Sequence, residues 1–156
     1  MSSVLEPICR GLVGYVSYLA VCRNSTIYSE YLLYEPLLRI AQAQGYTVAC
    51  EVAVSSSVSG RGDKKRLDFV FKRGSEFFGV EVKWIRAKNP NIVKDVKKLI
   101  AFNSETGASG YVIFFGQSGY FSNLTPTAEK SCLKTGKLVY WNPGRTKYSA
   151  RWFKYA

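Results

Sequence analysis

Residues 65–84 read KRLDFVFKRGSEFFGVEVKW, the pattern of two β-strands joined by a short turn at Arg73-Gly74-Ser75. The first strand, Arg66–Lys72, carries one acid, Asp68, among Leu67, Phe69, Val70 and Phe71. The second, Phe77–Trp84, alternates: Val80, Val82 and Trp84 fall on one face, Glu81 and Lys83 on the other. Closing the hairpin brings Asp68 up beside Glu81 and Lys83. Two carboxylates and a lysine at a strand end can hold a divalent metal and activate a water next to it.

The totals bound what such a site could serve. The 156 residues, 47% apolar and 21% charged, are those of one globular domain spanning 1–156. Twenty-two basic residues against eleven acidic ones give a net charge of +11 and a pI near 9.6. The excess is spread along the chain rather than gathered in a tail. It points to an anionic partner, nucleic acid first and anionic membrane second. The chain has no histidine. That excludes Ser-His-Asp and Cys-His nucleophiles, His-ligated zinc and any imidazole base. The four cysteines, Cys9, Cys22, Cys50 and Cys132, form no C-x-x-C pair. They are expected to be buried free thiols in a reducing compartment. The apolar run Gly11–Cys22 is too short to span a bilayer, follows Glu6 and Pro7, and lacks a cleavage site, so a cytoplasmic protein is expected.

Around the hairpin the chain alternates helix and strand patterns. Val4–Val21 is helical in period, with Ser3 as its cap; Tyr15 and Tyr18 widen its apolar side, which leaves a homodimer contact or plain core packing open. A second helix is expected from Thr26 to Gln44, ending at Gly45 and interrupted at Pro36. Glu30 shares its apolar stripe with Leu33, Leu37 and Ile40, where a carboxylate needs a cationic partner. Glu35 and Arg39 make an ordinary i, i+4 pair on the other side. A strand over Tyr46–Val54 contains Glu51, and a glycine-bearing loop follows with Arg61, Lys64, Lys65 and Arg66, suited to phosphates. After the hairpin, Pro90 opens a helix over Asn91–Asn103, with Asp95, Lys94, Lys97 and Lys98 expected on its exposed side. Gly110–Phe115, GYVIFF, reads as a strand buried on both faces and reached by a helical crossover. Thr125-Pro126-Thr127 suggests a further helix over Ala128–Lys134. Lys137–Trp141 and Tyr148–Tyr155 suggest strands about the turn Asn142-Pro143-Gly144, with Arg145, Lys147 and Arg151 as cations that could hold phosphates.

The order is αβββαβ, a mixed α/β sheet flanked by helices. With Glu30 in the helix, Asp68 in the second strand and Glu81-Val82-Lys83 in the third, the chain resembles the PD-(D/E)XK nuclease superfamily, the restriction-endonuclease-like fold. The resemblance covers about Ile27 to Gly116, and Leu67 stands where the name-giving proline would be. It implies a DNA endonuclease in which Asp68, Glu81 and the Val82 carbonyl hold Mg²⁺ or Mn²⁺. Lys83 would act on the attacking water, and Glu30 would support the site. Glu51 is a lesser candidate, and Gln117 is more simply a loop residue. The nucleic-acid surface would comprise Arg61, Lys64, Lys65, Lys97, Lys98, Arg145, Lys147 and Arg151. The alternatives are a non-catalytic nucleic-acid-binding module on the same surface, and a toxin or protein-interaction domain whose charge meets an acidic partner.

Overall fold

In the computed structural model, residues 4–22, 29–54, 65–128, 130–141 and 147–156 are described. Ser3, Thr26, Arg61, Lys64, Arg145 and the turn at Asn142-Pro143-Gly144 therefore lie outside the described residues. Helix α1 covers Leu5–Val21. A 3-10 turn, Glu30–Leu33, runs directly into α2, Tyr34–Ala43. Pro36 thus sits in the first turn of α2, where its missing N–H costs nothing, so the expected interruption is a helix start. Beyond α2, Gly45 takes φ +79°, as a residue just past a helix end does.

The strands are β1 (Thr47–Ala53), β2 (Arg66–Arg73), β3 (Glu76–Ile85) and β4 (Ser109–Gln117), with α3 (Val93–Thr106) between β3 and β4. Three more follow: β5 (Lys134–Thr135), β6 (Val139–Trp141) and β7 (Tyr148–Lys154). They form one sheet in the order β1-β2-β3-β4-β7-β5, with β6 also paired to β7. The β2–β3 hairpin turns through Gly74 at φ +56°, with Arg73 opposite Glu76. Among the described strands, only β3 and β4 run parallel, the pairing that a helical crossover through α3 requires. The core α2-β1-β2-β3-α3-β4 is the restriction-endonuclease-like αβββαβ arrangement, carrying α1 in front and a β-rich extension behind.

Apolar residues fill both faces of this sheet. On one, Leu5, Ile8, Leu12 and Val16 of α1 and Leu37 of α2 pack on Phe69, Phe71, Val80 and Ile113. On the other, Val96, Leu99 and Phe102 of α3 pack on Val70, Val112 and Phe114. The run GYVIFF is buried on both sides because β4 lies mid-sheet. The apolar stripe of α1 is spent on this packing, leaving Tyr18 and Val21 exposed.

Two expectations change. The segment after Thr125 is not helical among the described residues: Thr127 bridges Asn91 instead, and Lys134 already belongs to β5. There the main chain is recruited to cover the sheet edge and the entry to α3. Only Cys9 of the four free thiols is buried; Cys22, Cys50 and Cys132 are exposed. The apolar neighbours of Cys50 mislead because β1 is the sheet edge.

Candidate active site

The site forms where strand pairing gives way. The β2–β3 ladder runs from Arg73↔Glu76 to Phe69↔Val80. One residue further, side chains replace the ladder: the Val82 N–H donates to Oδ2 of Asp68 at 2.8 Å, and the Asp68 N–H donates to Oε1 of Glu81 at 3.2 Å. On the opposite flank, β1 pairs with β2 at Cys50↔Phe69 and Val52↔Leu67, while Glu51 between them takes φ +52°, a left-handed conformation uncommon outside glycine. As a result, Leu67 and Phe69, two residues apart, join opposite faces of the sheet. A regular strand keeps such residues on one face. The distortion at Glu51 and Asp68 opens a cleft of about 600 Å³.

Into it project Asp68, Glu81, Val82 and Lys83 from the hairpin, Glu30 from the 3-10 turn, and Asp95 and Lys98 from α3. Oε2 of Glu30 accepts from the Trp84 N–H at 2.8 Å, supplying an acceptor to β3 beyond the end of the β2 ladder. The Lys83 ammonium stands 4.0 Å from the same oxygen and 3.6 Å from Oδ2 of Asp95. Lys98 bonds Oε2 of Glu81 and lies 3.6 Å from Oδ1 of Asp95. Asp95 thus spans both lysines. Tyr31, Tyr34, Glu51 and Arg66 also line the wall.

Electrostatics make the two hairpin acids the costly pair. Burial pushes Asp68 above the usual carboxylate range, opposed by the Val82 N–H and the Lys98 charge. Burial, then the Asp68 carboxylate, push Glu81 up well beyond it, with Lys98 pulling back. Lys98 is drawn down by its own burial but held above its usual value by Glu81, Asp68 and Asp95 together. Tyr34 donates its hydroxyl to Asp68; burial and the Asp68 charge drive that hydroxyl far above the ordinary tyrosine range. Among the described residues, five acidic and three basic side chains line this cleft, in a chain of net charge +11.

The structure therefore brings Glu30, Asp68, Glu81, Val82 and Lys83 together from three elements. It places Lys98 elsewhere than expected: not on the exposed side of α3 but inside the cleft, only 16% exposed, and Asp95 turns in with it at 14%. The i, i+3 spacing of an acid and a lysine beside the core residues Val96 and Leu99 was the available signal. Nothing in the sequence marked Tyr34, whose ring sits edge-on against Phe69 at 4.5 Å. Lys65, Lys97 and Lys147 are exposed. Arg151 is committed internally, donating to the Gly136 carbonyl at 2.8 Å and to Oγ1 of Thr135 at 2.9 Å. Gln117 ends β4 and does not line the cleft.

No protein-family model and no curated protein matches this chain. Among solved structures, it is similar to the 1.6 Å structure of Hjc, a Holliday junction resolvase from the archaeal hyperthermophile Archaeoglobus fulgidus. That similarity spans 74% of this chain and 82% of the other, at 15% identity and a TM-score of 0.39. A likeness of this extent carries no weight alone; the restriction-endonuclease-like fold rests on the sheet order and the αβββαβ connectivity of the chain itself.

Proposed function

We propose that this chain is a divalent-metal-dependent nuclease of the PD-(D/E)XK type that hydrolyses phosphodiester bonds, with DNA as its substrate. The observation that carries the reading is the pair of half-buried Asp68 and buried Glu81, held side by side where the strands part. Core packing gives no reason for two such acids, and their mutual repulsion is what a cation relieves.

The donor set fits a hard divalent ion. Two carboxylates and the Val82 carbonyl are all oxygen, and the acid excess among the described lining residues favours a cation. Among the described residues no group of three Asp, Glu, Cys or His side chains could hold an ion; the Val82 carbonyl and water would complete the shell. Bound Mg²⁺ or Mn²⁺ would supply Lewis acidity and lower the pKa of a water, so that hydroxide is available to attack phosphorus. The rest falls to the chain. Lys83, held between Asp95 and Glu30, keeps its ammonium at the mouth of the site, where it orients the water and faces phosphate charge. Glu30 fixes the end of β3 through Trp84. Lys65, Lys97 and Lys147 offer exposed cations to the backbone of the nucleic acid.

DNA is preferred as substrate, and a homodimer, if formed through α1, would use Tyr18 and Val21. No described helix is long and apolar enough to cross a membrane; free thiols, three of them exposed, suit a cytoplasmic, reducing setting.

One observation favours a second reading, a non-catalytic nucleic-acid-binding module: Lys98 already neutralises Glu81. Calorimetric titration with Mn²⁺ separates the two. Uptake that disappears in Asp68→Asn supports the nuclease. Salt-sensitive DNA binding by a protein that takes up no Mn²⁺ supports the module.

A further inference from the structure

Both carboxylate oxygens of Glu81 are engaged: Oε1 by the Asp68 N–H, Oε2 by the Lys98 ammonium. The Glu81 side chain is 3% exposed and that of Lys98 16%, so water does little to screen the contact. A buried acid beside a second acid requires a positive neighbour, and here the chain provides its own. A divalent ion at Oε2 would meet that ammonium head-on. Lys98 has a second place to rest, since Oδ1 of Asp95 lies 3.6 Å away on the same helix, one turn back. The flexible four-carbon stem of lysine allows the shift without moving α3.

We propose that Lys98 is the built-in counter-ion of the metal-free site, holding Glu81 until a divalent cation takes its oxygen and then withdrawing to Asp95. The inference rests on the nuclease reading above. It assigns one side chain two effects of opposite sign: Lys98 stabilises the metal-free protein and weakens metal binding by competing for Glu81. A merely structural lysine would give the first without the second.

The test uses the full chain and Mn²⁺. Lys98→Gln keeps a hydrogen bond to Glu81 while removing the charge. By calorimetry it is expected to bind Mn²⁺ about tenfold or more tightly than wild type, since a contacting positive charge has gone. Its Tm without metal is expected to fall, and its rise in Tm on adding Mn²⁺ to exceed that of wild type. Lys94→Met removes a charge from an exposed position one turn earlier and is expected to alter the Kd by less than about threefold. Should Lys98→Gln not fold, Lys98→Arg retains the charge and is expected to bind Mn²⁺ no more tightly than wild type. Lys98→Gln binding Mn²⁺ no better than wild type, or Lys98→Arg binding it better, overturns the counter-ion role alone. If neither wild type nor Lys98→Gln takes up Mn²⁺, the nuclease reading falls first and this inference with it.

Discussion

Asp68→Asn should remove function and raise stability at once. Burial and neighbouring charge hold both Asp68 and Glu81 above the ordinary carboxylate range, so the fold works against their ionisation. A group whose folded pKa is raised contributes stability that is complete below its unfolded value, near pH 4, and lost as pH rises toward the folded value. The wild-type protein without metal therefore loses stability from acid to neutral pH on account of this pair. Asparagine keeps an oxygen for the Val82 N–H and removes one of the two charges. Taking a neighbouring carboxylate charge away from Glu81 is worth on the order of 1–3 kcal/mol. Weakening a charge-assisted bond to a neutral one returns roughly 0.5–1 kcal/mol of that. A net gain of about 1–2 kcal/mol corresponds to a Tm higher by roughly 2–8 °C for a chain of this size. Thermal melts in EDTA at pH 4 and pH 7.5 read it directly. The gap should be close to zero at pH 4 and open at pH 7.5. A variant that melts below wild type at pH 7.5, or whose gap is equal at both pH values, would refute the electrostatic account of the site.

Further outcomes are expected elsewhere. Lys83→Ala should abolish metal-dependent cleavage while leaving DNA affinity by fluorescence anisotropy within about threefold, since a single cation among many contributes modestly to phosphate binding. Tyr31 is 72% exposed on the cleft wall, its ring tilted on Tyr34 at 5.2 Å; Tyr31→Ala should weaken binding of a single-stranded oligonucleotide roughly tenfold and of blunt duplex little, as loss of one base-stacking platform would. Equal loss on both would count against stacking. Gly110 lets α3 close on β4, because a Cβ there would lie 2.8 Å from the Leu99 Cβ; Gly110→Ala should cost about 1–3 kcal/mol in chemical denaturation, and an unchanged midpoint would contradict the close approach.

The hairpin was the most legible part of the chain. Period-two alternation over Phe77–Trp84 sets Glu81 and Lys83 apart from Val80 and Val82, and the apolar run 110–115 is what a strand buried on both faces is expected to show. Asp68 stood out because an acid amid Leu67 and Phe69 contradicts core logic. What alternation could not reveal was its own failure: Glu51 and Asp68 break the period, so Leu67 crosses to the α3 face. Lys98 was misplaced for a related reason. On a helix of mixed lysines, an inward-turned cation looks like a solvated one until its partner on the sheet face beneath, Glu81, is in place. The helix expected after Thr125 failed because the tertiary demand to cap α3 and the sheet edge overrode a local start signal.

If Asp68 and Glu81 hold a divalent cation for nucleic-acid hydrolysis, cleavage must depend on that cation. Incubating the purified protein with supercoiled plasmid, a branched duplex and an RNA hairpin, in Mg²⁺ and in Mn²⁺ with EDTA controls, asks this most directly. Cleavage of a DNA form that stops in EDTA is the predicted result. Intact substrates under both ions, from folded protein that still binds DNA, would contradict it.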